Sequence, residues 1–350
     1  MSEFSNYLAL GFRECSTPLY KASEWLYEAS TPLDLENKRC ELIERIAKVS
    51  AAALLLIPAL MLHAVGLIGR GAQILVSSKP YLERGNYNPS SQAKKICIGI
   101  YNMNLFPGPM PTLFGGVEPG TKRLAQLADD VQNARLDVVC IAEGHDNKHV
   151  AKIHNILLQR GEEYNLLYAI GDRPFKFNSG LAILSKYPIE EMEFHPFLYE
   201  ERQKMINKGF VSCKINGVRV IATHLDPANE NVRRLELEEI TRYQQQFTDP
   251  VVLLGDMNIK KGSDEYESSQ LKSEYQSSYV ESKPSCNDEI LMAKRRGEKP
   301  PKQEDDIDYI LVPNRFNTKT FTTTLAVETN DNPNQAHSDH AFKVSDIEIS

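Results

Sequence analysis

The chain is expected to be an α/β protein, a two-sheet α/β sandwich preceded by an N-terminal helical region. Three observations lead there. Short apolar runs recur between residues 96 and 344, each too brief for a helix and bounded by Gly, Pro, Asn or Asp. Amphipathic stretches at 121–135, 148–160 and 230–247 interleave with them, so helices and strands alternate around one sheet-rich core. The length of 350 residues, with 41% hydrophobic and 25% charged, accommodates one large domain plus an addition.

Residues 1–78 read as the addition. Short helices are expected over 17–48, broken at Thr31-Pro32-Leu33-Asp34. Residues 49–69 then run for 21 positions without Asp, Glu, Lys or Arg. As a helix this segment is about 30 Å long, the thickness of a bilayer core. Pro58 within it is tolerated in a membrane helix. It begins too late for an ordinary signal peptide. The reading is a single-pass membrane anchor, with a buried helix or helical hairpin packed on the domain as the alternative. Four Lys and Arg in 34–48 against three in 70–84 favour neither orientation. Residues 79–93, with Pro80, Gly85 and Pro89, form a polar linker to a domain spanning 94–350.

The domain opens with an alternating strand from Ile96 that ends at Asn102. A second, Asp137 to Ala142, ends at Glu143. A third covers 179–189 and is closed by Pro188, which cannot donate to a ladder. Asn216-Gly217 is a hairpin signal before a fourth strand that ends at His224. A fifth, Val251-Val252-Leu253-Leu254, runs into Gly255-Asp256-Met257-Asn258. A sixth starts at Asp308, and Ser338-Asp339-His340 opens the last. Residues 283–304, polar and carrying Pro300-Pro301, are expected to be a mobile loop.

Polar residues at the ends of buried strands have no packing purpose, and α/β sheets place ligands at such ends. Carboxylates suit a hard cation such as Mg²⁺, while amides and imidazoles orient phosphate oxygens and move protons. The ordered set Asn102, Glu143, the 179–189 peptide, Thr223-His224-Leu225, Gly255-Asp256-Met257-Asn258, Asp308-Tyr309-Ile310 and Ser338-Asp339-His340 resembles the endonuclease/exonuclease/phosphatase superfamily. The resemblance implies a DNase I-like four-layer sandwich of two mostly antiparallel sheets flanked by helices, and a Mg²⁺-dependent phosphoric ester hydrolase. Under it Glu143 ligates the metal with Asn102 beside it and Asp339 near. His340 is the general base on water, oriented by Asp308. Asp256 and Asn258 position nucleophile and phosphate, and His224 holds a phosphate oxygen or assists the leaving group.

Within the superfamily, Lys208-Gly209, Val232-Arg233 and Glu239-Ile240 are similar to the sphingomyelinase branch, which implies a phospholipid headgroup as substrate. Glu236 departs from it, since related sequences tend to carry Gln there. A nuclease, an inositol-phosphate phosphatase and a catalytically silent membrane-bound module are the alternatives. A net charge of −9 over residues 96–350 argues against long nucleic acid, which asks for a basic footprint; only Lys294-Arg295-Arg296 with Lys299 and Lys302 supplies one. The six cysteines, at 15, 40, 97, 140, 213 and 286, show no ligand spacing and read as free thiols in a reducing compartment.

Overall fold

A computed structural model describes residues 15–30, 38–76, 81–85, 95–173, 176–198, 205–277, 284–301 and 305–349. The expected break at 31–34, most of the 79–93 segment and Lys302 lie outside them. Helices α1 (Thr17–Ser30) and α2 (Lys38–Val76) come first, followed by the short α3 (Met110–Phe114), α4 (Gly120–Ala134), α5 (Asn147–Gln159) and α6 (Glu230–Gln244). The short α7 (Asp264–Ser268) and α8 (Gln270–Ser273) precede α9 (Asp288–Arg296).

The strands form two sheets. The first has seven strands in the spatial order β1 (Tyr81–Glu83), β4 (Asn165–Tyr168), β5 (Ala182–Ser185), β3 (Val138–Ala142), β2 (Lys95–Asn102), β13 (Phe342–Ile349) and β12 (Thr318–Val327). The second has six: β10 (Tyr275–Ser277), β11 (Asp308–Pro313), β9 (Val251–Asp256), β8 (Val218–His224), β7 (Gly209–Ile215) and β6 (Ile189–Pro196). Each sheet contains one parallel pair, β2 with β3 and β8 with β9, among antiparallel neighbours. A parallel pair needs a crossover, and the amphipathic helices α4 and α6 supply them.

Strand alternation sorts the core. Ile96, Ile98 and Ile100 of the first sheet pack with Val220, Ala222, Val252 and Leu254 of the second, filling the space between sheets. The opposite face of the first sheet, with Tyr101, Val139 and Ile141, meets Leu124, Leu127 and Val131 of α4 and Ile153 and Leu157 of α5. Leu237 and Ile240 of α6 cover Ile221, Val251 and Leu253 on the outer face of the second. Helix, sheet, sheet and helix make the four layers of a DNase I-like sandwich.

Two expectations need correction. The 179–189 run is not one strand: β5 belongs to the first sheet and β6 to the second. Pro188 sits in the crossing between them, where Ser185 Oγ accepts from the Tyr187 amide at 3.0 Å. The 283–304 stretch is not all loop, because α9 occupies Asp288–Arg296. Asp288 and Glu289 in its first turn and Lys294, Arg295 and Arg296 in its last match the helix dipole. Gly297 ends it at φ 69°, and Ile290 and Leu291 are buried. A short helix with so few apolar residues is hidden by its polar composition.

The apolar 49–69 segment lies inside α2, which continues through Pro58. Its Leu42–Gly69 stretch is long and apolar enough to cross a membrane, with mean hydropathy 2.3. Helix α1 runs antiparallel along it: His63 Nδ1 lies 2.9 Å from Ser16 Oγ, and Lys48 Nζ donates to Glu28 Oε2 at 2.7 Å. Ala52 and Ala59 are buried, whereas Leu54, Ile57, Met61 and Ile68 are exposed.

Within the expected linker, Tyr81–Glu83 pairs antiparallel with β4 as an edge strand. Tyr168 Oη donates to Glu83 Oε1 at 2.7 Å and His154 Nδ1 lies 3.3 Å from Oε2. The His154 contact, helped by the Tyr168 hydroxyl, holds the Glu83 carboxyl below its ordinary value of 4.5 against the opposing effect of burial. A carboxyl lowered by folding adds stability above its unfolded value and loses it as pH falls through the folded one. Glu83→Gln is therefore expected to lower stability near neutral pH by no more than ~1 kcal/mol. The gap in melting temperature between parent and variant should close on acidification from about pH 6 to about pH 3. A gap that stays constant would rule out this linkage.

Candidate active site

The two parallel pairs end at the same place. Asn102, last in β2, is the register partner of Ala142, and Glu143 follows directly. His224, last in β8, is opposite Asp256, last in β9, and Asp256 is also opposite Asp308, first in β11. His224, Asp256 and Asp308 thus form one row across the second sheet, and Asn102 and Glu143 face them from the first. A Cβ on Gly255 would stand 2.1 Å from the Thr223 carbonyl oxygen, so only glycine fits before Asp256. Asn104, Glu143 and Asn258 all hold left-handed backbone, with φ of 43°, 56° and 51°. Such strain in non-glycine residues gathers at functional sites.

The Asn102 amide joins the sheets. Its Nδ2 donates to Glu143 Oε1 at 3.0 Å and to Asp256 Oδ2 at 3.1 Å, and lies 3.4 Å from His340 Nε2. His340 Nδ1 meets Asp308 Oδ2 at 2.8 Å, which fixes the ring and turns Nε2 toward Asp256, 3.7 Å away. His224 Nε2 approaches the same Asp256 oxygen to 3.8 Å. Asn258 supports rather than lines this centre: its Nδ2 donates to the Leu225 carbonyl at 3.1 Å, and its amide donates to Asp256 Oδ1 at 3.0 Å. Asp339 stands one step back, with Oδ2 accepting from Asn104 Nδ2 at 3.0 Å and Oδ1 from Ser338 Oγ at 3.2 Å.

Burial and crowded carboxylates set the electrostatics. Burial first, then Asp339, raises the Glu143 carboxyl to about 7. Burial first, then Asp308, raises Asp256 to about 6. His224 is pushed well below the ordinary histidine value by burial and by the cations around it, Lys208 foremost, so it stays neutral. Burial works against charge on His340, yet the Cys286 sulfur and the Asp308 carboxylate beside it push its pKa well above the usual one.

Glu143, His224 and Asp256 each offer a ligand atom within 4.8 Å of the others, and so do Asp256, Asp308 and His340. Asn104 Oδ1 is buried beside them without a hydrogen-bond partner among the described residues. Oxygen donors under mutual repulsion fit a hard divalent cation, which relieves that repulsion. Of the residues singled out from the sequence, Asn102, Glu143, Asp256, His224, Asp308 and His340 are brought together, with Asn258 and Asp339 behind them.

Several supporting residues were not singled out from the sequence as part of the site. Asn104 stands two residues past Asn102, a spacing that offered a signal. Arg123 of α4 is buried and donates to the carbonyls of Met103 at 3.0 Å, Asn104 at 2.6 Å and His337, binding both site loops. Nothing in an amphipathic helix pattern marks it. Lys208 is buried behind His224 and donates to the His224 and Leu225 carbonyls at 3.2 and 2.6 Å. Glu236, the departure from the sphingomyelinase pattern, accepts from the Asp226 amide at 2.8 Å, and burial raises its carboxyl to about 8. A carboxyl kept neutral has one hydroxyl donor and one carbonyl acceptor, much as an amide does, so the departure is chemically small. The basic run on α9 is engaged in the fold: Arg295 donates to Gly116 O at 2.6 Å and pairs with Glu118 at 2.8 Å, and Lys294 pairs with Asp331.

Comparisons with known proteins bear on the fold and the family. Sphingomyelinase C 1 of Leptospira interrogans serogroup Icterohaemorrhagiae serovar copenhageni is 26% identical over 208 residues, which are 51% of this chain and 35% of that protein's own length. Among solved structures, beta toxin of Staphylococcus aureus superposes with a TM-score of 0.59 at 22% identity, covering 71% of this chain and 99% of the toxin. Sphingomyelinase C of Streptomyces griseocarneus gives 0.55 at 19% identity, covering 72% and 99%. These likenesses show the fold. The model of the Endonuclease/Exonuclease/phosphatase family matches residues 100–346, from the middle of β2 into β13 and across every residue of the centre, and the chain belongs to that family.

Proposed function

We propose that this chain is a divalent-metal-dependent phosphodiesterase that hydrolyses a phospholipid headgroup, held at the membrane by α2. The convergence of Asn102, Glu143, His224, Asp256 and the Asp308–His340 pair at the ends of the two parallel strand pairs carries the reading.

Glu143 would hold the cation, with Asn102 beside it and Asp339 acting through Asn104. When bound, the cation polarises the phosphoryl oxygen and neutralises charge that builds on it. The chain's own groups do the rest. His340 would give up its extra proton under a bound cation's charge; the neutral ring then takes the proton of the attacking water at Nε2, and Asp308, hydrogen-bonded to Nδ1, keeps the ring in place and stabilises the imidazolium that results. Asp256, within reach of both histidines, positions the water. Neutral His224 hydrogen-bonds a phosphate oxygen, and Asn258 keeps the Asp256 loop in its left-handed turn.

Three observations support lipid as the ester. The Leptospira relative is named a sphingomyelinase; the beta toxin neighbour described with bound magnesium ions bears on the cation rather than on the ester. Helix α2 offers an apolar surface suited to the place where such a substrate lies. In the basic run that begins on α9, the main feature favouring nucleic acid, Lys294 and Arg295 are engaged in internal pairs. A panel of sphingomyelin, phosphoinositides, RNA and single- and double-stranded DNA, with and without Mg²⁺, tests the choice; preference for any nucleic acid would overturn it.

Activity is expected to vanish in EDTA and return with Mg²⁺, and Glu143→Gln should weaken metal binding and turnover together. Loss of the base in His340→Ala should cost ~10²–10⁴-fold in kcat. Asp256→Asn separates chemistry from stability. It removes a carboxylate that repels Asp308, so the metal-free variant should melt at or above the parent temperature near neutral pH while losing activity. An inactive variant that melts well below the parent would assign Asp256 a structural role instead.

A further inference from the structure

Helix α1 touches two things at once. It lies along α2, with Ser16 at His63 and Glu28 at Lys48. It also lies against the catalytic domain: Lys148 Nζ of α5 donates to Thr17 Oγ1 at 2.6 Å, and Lys122 Nζ of α4 pairs with Glu28 Oε1 at 3.1 Å. Tyr20 and Glu24 of α1, with Phe177 and Asn147 of the domain, wall a cavity of about 320 Å³. Gly108, four residues past Asn104, packs so closely that a Cβ there would be 3.1 Å from Ser23 Oγ.

In the chain, α1 precedes α2 and the domain follows it. A helix that crossed a bilayer would put α1 and the domain in different compartments, where none of these contacts can form. The connections do not allow a detour. Seven residues separate Ser30 from Lys38 and four separate Val76 from Tyr81. Fully extended they reach about 25 Å and about 14 Å, less than a hydrocarbon core of about 30 Å. Nor does α1 suit the hydrocarbon itself, since it carries Lys21, Glu24 and Glu28.

We propose that α2 is embedded along one leaflet without crossing it, with α1 and the catalytic domain on the same side. This rests on the membrane reading given above and replaces the single-pass topology expected from the sequence. The buried Ala52 and Ala59 share the helix face on which Lys48 and His63 meet α1, and the exposed Leu54, Ile57, Met61 and Ile68 are the lipid-facing surface. The occupant of that face is the acyl region of one leaflet. The catalytic domain, joined to α2 through α1 and the short 77–80 connection, is then held beside the headgroups of the leaflet that anchors it.

The test uses the full chain with one epitope before Met1 and a second after Ser350, expressed in cells and recovered in sealed vesicles of one orientation. The expected result is co-sedimentation with membranes and equal antibody access to both epitopes, either both before permeabilisation or both only after it. Access to one epitope before and the other only after would show a crossing helix and overturn the proposal while leaving the membrane reading intact. Recovery of the chain in the soluble fraction would overturn both, and it is read from the sedimentation step alone.

Discussion

A single carboxamide spans the gap between the two sheets. Asn102 ends a strand of the first sheet, and its Nδ2 reaches Asp256 at the end of a strand of the second. A side chain so short can bridge two layers only if both strands stop at the same level and the layers keep their spacing. The inter-sheet core keeps it: Ile98 and Ile100 against Ala222 and Leu254 leave no room for slip without a loss of packing. The α4 and α6 crossovers make β3 and β9 run parallel to β2 and β8, so four strand ends open on one edge. Each remaining element of the centre is placed relative to that bridge.

The centre is held under electrostatic load. Glu143 and Asp256 are both raised by burial and by neighbouring carboxylates, and Glu143, Asn104 and Asn258 hold backbone that side chains rarely adopt. The rest of the fold offsets this cost. Arg123 fastens two site loops through their carbonyls. Gly115 lets Asn104 and Asp339 approach, since a Cβ there would lie 2.0 Å from the Asn104 amide nitrogen. Removing such a supporting residue would disturb the geometry without touching substrate.

Much of this was legible because function and packing use different alphabets. Asn102, Glu143, His224 and Asp256 stood out as polar residues ending apolar runs, and the structure gathers them. Buried strands such as β3 and β9 were readable from their unbroken apolar character. Edge strands were harder. Tyr81–Glu83 has three residues and sits in a polar stretch, so only its pairing with β4 reveals it. The α9 helix was hidden by its charges, though its ends carry the acid-first, base-last order of a dipole-matched helix. The placement of Asp339 and Asn258 one layer back was not readable at all, because strand periodicity tells which residues reach an edge but not which of them reach farthest. The apolar content of 49–69 was plain, whereas its relation to the domain depended on α1, a helix with no chemistry of its own.

The order of the pieces along the chain has a consequence for biosynthesis. Asn102 meets Asp256 across 154 residues and His340 across 238. Strand β13, the last of the described strands, lies inside the first sheet between β2 and β12 rather than at its edge. The apolar helix is therefore synthesised long before His340. A nascent chain can carry that helix in full while its centre still lacks His340 and the strand that follows it. Until β13 enters between β2 and β12 the centre lacks one of its walls, so no intermediate of synthesis that ends before His340 can assemble it.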